Sequence, residues 1–249
     1  MTTQHINLLF VLLSIMSVTC FRLSSKQSFK KTFLVQVTTS INPTQENTNV
    51  LGKAAEYAVL AGGRTTNAGA TTIVGSLGVS PGISIDGTAV KMVDGQFHTD
   101  ANSLTAQLDL TTAYNNLANI PNGVVMSGTD LVGLTLGPGL YKYDVACFLS
   151  AGILTLDAKG DANAKWTFQI GTTLITAVNS SMLVINGGSA LNVYWQVGTS
   201  ATFKTSSVVV GNIIAYASIS FGTYATLKGR ALARTGEVTM LANVIEIKP

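Results

Sequence analysis

This chain is short of charge. Acidic and basic residues make up 11% of 249 residues, with 15 Lys and Arg against 12 Asp and Glu. The net charge of +3 is spread thinly, apart from Arg22, Lys26, Lys30 and Lys31 near the N-terminus. No aromatics are interleaved with that group, so nucleic acid is not an expected partner. A small basic group of this kind reads as a solvated tail rather than a membrane contact. Proline is scarcer still, at five, while hydrophobic residues reach 47%. That combination excludes a disordered, proline-rich or collagen-like chain.

Histidine and cysteine number two each. If a leader carrying His5 is removed, only His98 remains, too few for a His-rich metal centre or a pair of catalytic histidines. There is no G-x-S-x-G and no phosphate-binding loop. Asp157 and Asp161, in LDAKGDANA, read as turn formers rather than calcium ligands. Carboxylates cluster nowhere, which counts against a polysaccharide lyase or hydrolase. No metal or other cofactor is expected. Cys147 sits in VACFL and reads as a small buried hydrophobe rather than a nucleophile.

The N-terminus carries an apolar run from Ile6 to Val18, interrupted by Asn7, Ser14 and Ser17. It is short for a membrane span. Small residues follow, and a cut after Cys20 would make residues 1–20 a secretory signal peptide; a signal anchor is the alternative, since the leader lacks Lys and Arg before the run. After cleavage one thiol and no disulfide would remain. Secretion, and no stable membrane insertion, are therefore expected. Residues 21–50 form a polar arm.

From Leu51 the texture changes to short runs of Val, Ile, Leu, Thr and Ala punctuated by Gly, Asn and Ser, which signals strands and turns. One segment differs. Asp100 to Ala118 has no Gly or Pro, and Ala106, Leu110, Ala113, Tyr114 and Leu117 share one helical face. Asp100 is placed to cap it, and Pro121 with Gly123 to end it. A single helix of about 100–118 needs a sheet to cover.

The last third repeats at 18 or 19 residues: Val193, Asn212 and Arg230 open successive coils. Each coil holds three runs of about six residues. The middle runs are TSATFKT, SISFGT and GEVTML. An earlier coil aligns Phe168-Gln169-Ile170-Gly171 with Trp195-Gln196-Val197-Gly198. Three short strands with small residues at the corners return the chain above its start. They stack in parallel on three flat faces of a triangular β-solenoid covering residues 51–249. Alternation points Ala201, Phe203, Ile219, Phe221, Val238 and Met240 inward. Ser200, Thr202, Ser218, Ser220, Glu237 and Thr239 then point outward. Solvated faces usually carry Lys, Glu and Arg; this one is mostly small, uncharged and regular. Trp166 and Trp195 appear at equivalent positions of their coils and read as core rather than sugar platforms.

In this order, LGKAAEYAVLAG, TTIVGSLGVSPG, LTTAYNNLA, LVGLTLGPGLYKY, LTLDAKGDANAKWTFQIG, LNVYWQVGTSAT and GRALARTGEVTM resemble the microbial ice-binding (antifreeze) family. The resemblance runs from about Leu51 to Ile247. It implies a mainly β fold, a discontinuous right-handed solenoid with one long α-helix packed alongside. It also implies a secreted, non-catalytic monomer whose partner is the ice surface. In that family a flat face carries a small or Thr residue, one inward residue, then Thr, Ser or Asn. The matching positions are Ser200 with Thr202, Ser218 with Ser220, Thr239, and Thr173 with Ile175; Gly63 and Phe97 would extend the face. Glu237 and Lys204 depart from the pattern, because a charge holds its own hydration shell, and imply a smaller face or moderate activity. An extracellular adhesive module is the alternative, and a carbohydrate-active enzyme the third reading.

Overall fold

Short apolar runs broken by small residues do stack into a coil. The structure, a computed structural model, describes residues 50–87 and 89–247. The leader expected at 1–20 and nearly all of the arm at 21–50 lie outside the described residues. In the coil that opens at Val193, the first run is the strand Val193–Val197 and the middle run is Ala201–Phe203. The third run does not end where the sequence period suggests. Val208–Ala215 is one bent strand that continues into the first run of the next coil, and Thr226–Ala233 repeats this. The bends fall at Gly211 (φ 107°) and Gly229 (φ 145°), which stack on one another. A side chain at Gly229 would overlap the Gly211 carbonyl oxygen, and the positive φ excludes most other residues as well.

Two sheets therefore make three faces. A large sheet wraps the first and third runs, and a separate sheet holds the middle runs. All the strand pairs of that second sheet are parallel. Inward and outward residues alternate as the period requires. Ala201, Phe203, Ile219, Phe221, Val238 and Met240 are buried, and they join Trp195, Ile213 and Leu227 in one core. Cys147 lies in that core with no disulfide partner, and burial pushes its thiol up to about 12. It packs as a hydrophobe.

The solenoid is discontinuous. Tyr57–Ala61 pairs with the Thr226–Ala233 strand, Arg64–Ala68 with Val238–Leu241, and Thr71–Val74 with Val244–Glu246. The N-terminal segment thus stacks as a further coil on the C-terminal one. α1 (Ala101–Ala118) then packs against strands from both parts. At about 1.5 Å per residue it runs roughly 27 Å, enough to lie across about five strands.

Local chemistry fixes where that helix begins and ends. The Asp100 carboxylate accepts from the backbone N–H of Asn102 (3.0 Å) and Ser103 (3.4 Å), which satisfies donors the first turn leaves open. Ala106, Leu110, Ala113 and Leu117 bury against Tyr57, Leu60, Tyr194, Ile214 and Leu232, and Tyr114 is half-buried beside them. At the far end the Gln169 side-chain amide donates to the carbonyls of Leu117 (2.7 Å) and Ile120 (2.9 Å). The helix ends on Asn119, before Pro121. Gln169→Leu should strand those carbonyls, cost about 1–3 kcal/mol and lower the melting temperature by roughly 5 °C. Calorimetry checks this; an unchanged transition would mean that water serves the helix end equally well.

Candidate functional site

The middle-run sheet turns one side to solvent. Its strands put Thr66, Thr239, Ser220, Thr202, Ile175 and Phe148 in register across successive coils. This row is straight because each pair is parallel and unshifted. It spans about 24 Å at about 4.8 Å per coil. No charge interrupts it before Asp86, which is exposed next to Thr66. Thr66 donates its hydroxyl to that of Thr239 at 3.2 Å. The Thr202 and Ser220 hydroxyls make no hydrogen bond to protein among the described residues, so they are open to solvent partners. β-branching limits Thr202, Thr239, Thr66 and Ile175 to few rotamers, which keeps the row rigid.

A second row lies on the side of the face nearer the preceding corner. Backbone bonds from Leu174 to Ser200, from Ala201 to Ser218 and from Ile219 to Glu237 align Thr173, Ser200, Ser218 and Glu237. Here the serines differ from the threonines beside them. Ser200 Oγ accepts from the Ser218 N–H (3.3 Å) and Ser218 Oγ from the Glu237 N–H (3.1 Å). These hydroxyls brace one coil to the next as well as facing outward. The row continues to Arg64, whose Nε donates to Glu237 Oε2 at 2.7 Å. That hydrogen bond, then the carboxylate's charge, raises the Arg64 guanidinium above its ordinary value. Glu237 is therefore not a lone charge on the face, as its sequence context suggests. Lys204 remains exposed at the opposite margin.

The residues singled out from sequence do not all meet. Thr173, Ile175, Ser200, Thr202, Ser218, Ser220 and Thr239 share the face. Gly63 lies at its corner, with its N–H donating to the Gly236 carbonyl at 2.8 Å. Phe97 is elsewhere: Phe97–His98 is a short strand paired with Leu77 and Gly78 in the larger sheet. It extends the side that carries the helix, so the structure places it off the middle face. Trp166 and Trp195 are not equivalent either. Trp195 stands in register with Phe168, and Trp166 with Val193; both are buried. Thr66, Arg64, Phe148 and Asp86 were missed. Arg64-Thr65-Thr66 repeats the outward–inward–outward pattern of Ser200-Ala201-Thr202, a signal that was present but lay outside the repeat.

Among the described residues no group of three His, Cys, Asp or Glu is arranged to hold a metal, and no helix is long and apolar enough to cross a membrane. Fold and face together define a parallel β-solenoid that displays a flat repeat of small hydroxyl and apolar side chains.

The chain belongs to the ice-binding-like family, whose model matches residues 59–246. It is 46% identical over 199 residues to an ice-binding protein of Nostoc sp. (strain HG1), covering 79% of this chain and 73% of that one. Among solved structures it is similar to an ice-binding protein from an Antarctic biological consortium, at 46% identity and a TM-score of 0.75, covering 79% and 89% of the two chains. It is also similar to the ice-binding protein of the Antarctic ascomycete Antarctomyces psychrotrophicus, at 40% identity and a TM-score of 0.76, covering 80% and 98%.

Proposed function

We propose that this protein adsorbs to ice through its middle face and so slows ice growth and recrystallisation. The observation that carries the reading is the unbroken, in-register row from Thr66 to Phe148. The Thr202 and Ser220 hydroxyls offer a donor and two acceptor lone pairs each, the bonded hydroxyls beside them keep part of that capacity, and each methyl leaves its neighbouring water without a partner on that side. Rigid placement at a constant interval lets many weak contacts form at once, with little side-chain entropy lost on docking. No bond in any substrate is broken. Thr173, Ile175, Ser200, Thr202, Ser218, Ser220, Thr239 and Thr66 make the contact, with Gly63 at the margin. The protein acts outside the cell, as a monomer.

A nanolitre osmometer tests this directly, with protein from residue 21 onward. A gap between melting and freezing points, with faceted crystals, is expected. No gap and no slowing of recrystallisation, in a sample with a sharp melting transition, would overturn the reading and favour an adhesive module on the same scaffold.

The Arg64–Glu237 pair gives a second check. The pair is net neutral, but both partners are more than a third exposed in side chain and both keep water. Replacing both with Thr should extend the uncharged face and raise thermal hysteresis by roughly twofold, whereas Arg64→Thr alone, which leaves the Glu237 carboxylate unpaired, should lower it. Equal activity in all three proteins would mean that ice does not reach this corner.

A further inference from the structure

We propose that the hollow between the last turns of α1 and the first-run strands binds one ring of a neutral sugar. The site is separate from the middle face and does not depend on adsorption to ice. It lies where an outward row of the first face runs out from under the helix. Lys142, Gln169, Gln196, Ile214, Leu232 and Leu60 stand in register in that row. Ile214, Leu232 and Leu60 are buried against α1, as apolar residues under an amphipathic helix should be. The other three are polar.

Gln169 has a structural reason to be polar, since its amide holds the end of the helix. Gln196 has none. It is only 6% exposed, yet its carboxamide makes no hydrogen bond to protein among the described residues. Leaving a buried amide without a partner is unfavourable. A leucine would pack there as Ile214 does one coil further on. The glutamine instead lines a hollow of about 300 Å³, so the partner of its carboxamide must come from outside the fold.

The rest of the hollow says what that partner is. Tyr114 lines one side, and the Arg234 guanidinium lies 4.7 Å from its ring centroid, which steadies the ring. Lys142 and Asp144 stand at the rim with Nζ 3.2 Å from Oδ1. Their charges cancel, so an ion of either sign gains little here. Gln196 offers two donors and an acceptor, and the Gln169 side-chain oxygen is a further acceptor. The row places these groups about 4.8 Å apart from strand to strand, close enough to reach one ring together. A sugar ring presents a C–H face to an aromatic wall and hydroxyls to amides, an ammonium and a carboxylate. The volume lies at the lower end of the range of about 300–1,000 Å³ for small-molecule sites, which fits one ring. The glutamines point out from the first face and Thr202 from the middle face, so a bound sugar leaves the middle face open.

The test is to titrate isotope-labelled protein with glucose, galactose, mannose and galacturonate, following the side-chain amide signals by NMR. At least one neutral sugar should shift the Gln196 amide saturably, with a dissociation constant in the millimolar range. Gln196→Leu should weaken that binding by about tenfold or more without lowering the melting temperature, because the glutamine holds nothing in the fold. Lys142→Ala, on the exposed rim, should weaken it by about fivefold and decides the matter if Gln196→Leu melts early. Electrophoresis through gels containing dextran, galactan or mannan separates two sources of the same ring. Retardation that the free sugar abolishes supports the site with a polysaccharide chain as its source, and saturable shifts without retardation support it with a free sugar. No saturable shift from any neutral sugar would overturn the proposal and leave water as the partner of Gln196. Wild-type affinity in folded Gln196→Leu and Lys142→Ala would place the sugar elsewhere and overturn it too, as would tighter binding of galacturonate than of galactose.

Discussion

Thr202→Tyr should reduce thermal hysteresis to roughly a fifth or less while leaving the protein folded, because rigid surfaces cannot close over a protruding ring. Thr202 is central in the row, with Ser220 on one side and Ile175 on the other. Its side chain points outward between buried Ala201 and Phe203, so the phenol ring would project into solvent without disturbing the core. A gap of even 0.5–1 Å forfeits about a quarter to a half of the dispersion well of each contact, and the ring would hold several neighbouring coils away from the crystal. The melting temperature should shift by no more than about 2 °C, as for other surface changes. Thr202→Val is the informative companion. It keeps the shape and removes the hydroxyl, and so separates the contribution of the hydrogen bond from that of fit. Full hysteresis in Thr202→Tyr would remove the middle face from the mechanism, and early melting would show that Thr202 packs inward.

The coil period was legible in the sequence because three consecutive coils repeat with small residues at their corners, and Phe168-Gln-Ile-Gly against Trp195-Gln-Val-Gly gave the register of the coil before them. The helix was legible for a different reason: an apolar stripe, a capping aspartate and an absence of glycine are all local signals. What the sequence did not disclose is non-local. Thr66 pairs with Thr239 across 173 residues, and no repeat period connects them; only the open edge of the last coil, which needs a partner for its backbone groups, calls the N-terminal strand there. Arg64 escaped notice for the same reason, and with it the neutralisation of Glu237. Phe97 failed through its brevity, since a two-residue strand carries no alternation to assign it to a face. The bent strands were hidden because a bend at glycine and a break at glycine look alike in sequence.

Trp195→Ala should be the most destabilising single change on the inner side of the coil, at about 3–5 kcal/mol. The indole is fully buried and stacks on Phe168 with ring centroids 3.9 Å apart and planes within 8°. Phe168 in turn stacks on Tyr141 at 5.4 Å, so an aromatic column runs through three coils at the coil interval. Truncation would remove the end ring of that column with its contact to Phe168 and open a cavity that the closed backbone ladder cannot collapse around. It would also orphan the Val210 carbonyl, which accepts from Trp195 Nε1 at 2.9 Å. Trp195→Phe keeps a ring on Phe168 but loses that bond and part of the buried indole volume, and should cost less than the alanine change, about 1–3 kcal/mol. The melting temperature of the alanine variant should fall by roughly 10 °C for a domain of this size. Its hysteresis, read near the freezing point where the fold survives, should stay close to wild type because the middle face is built by other strands. A melting temperature within about 2 °C of wild type would show that the core relaxes more freely than a stacked solenoid should. Lost hysteresis in a still-folded variant would show that the flatness of the outer row depends on the aromatic column behind it.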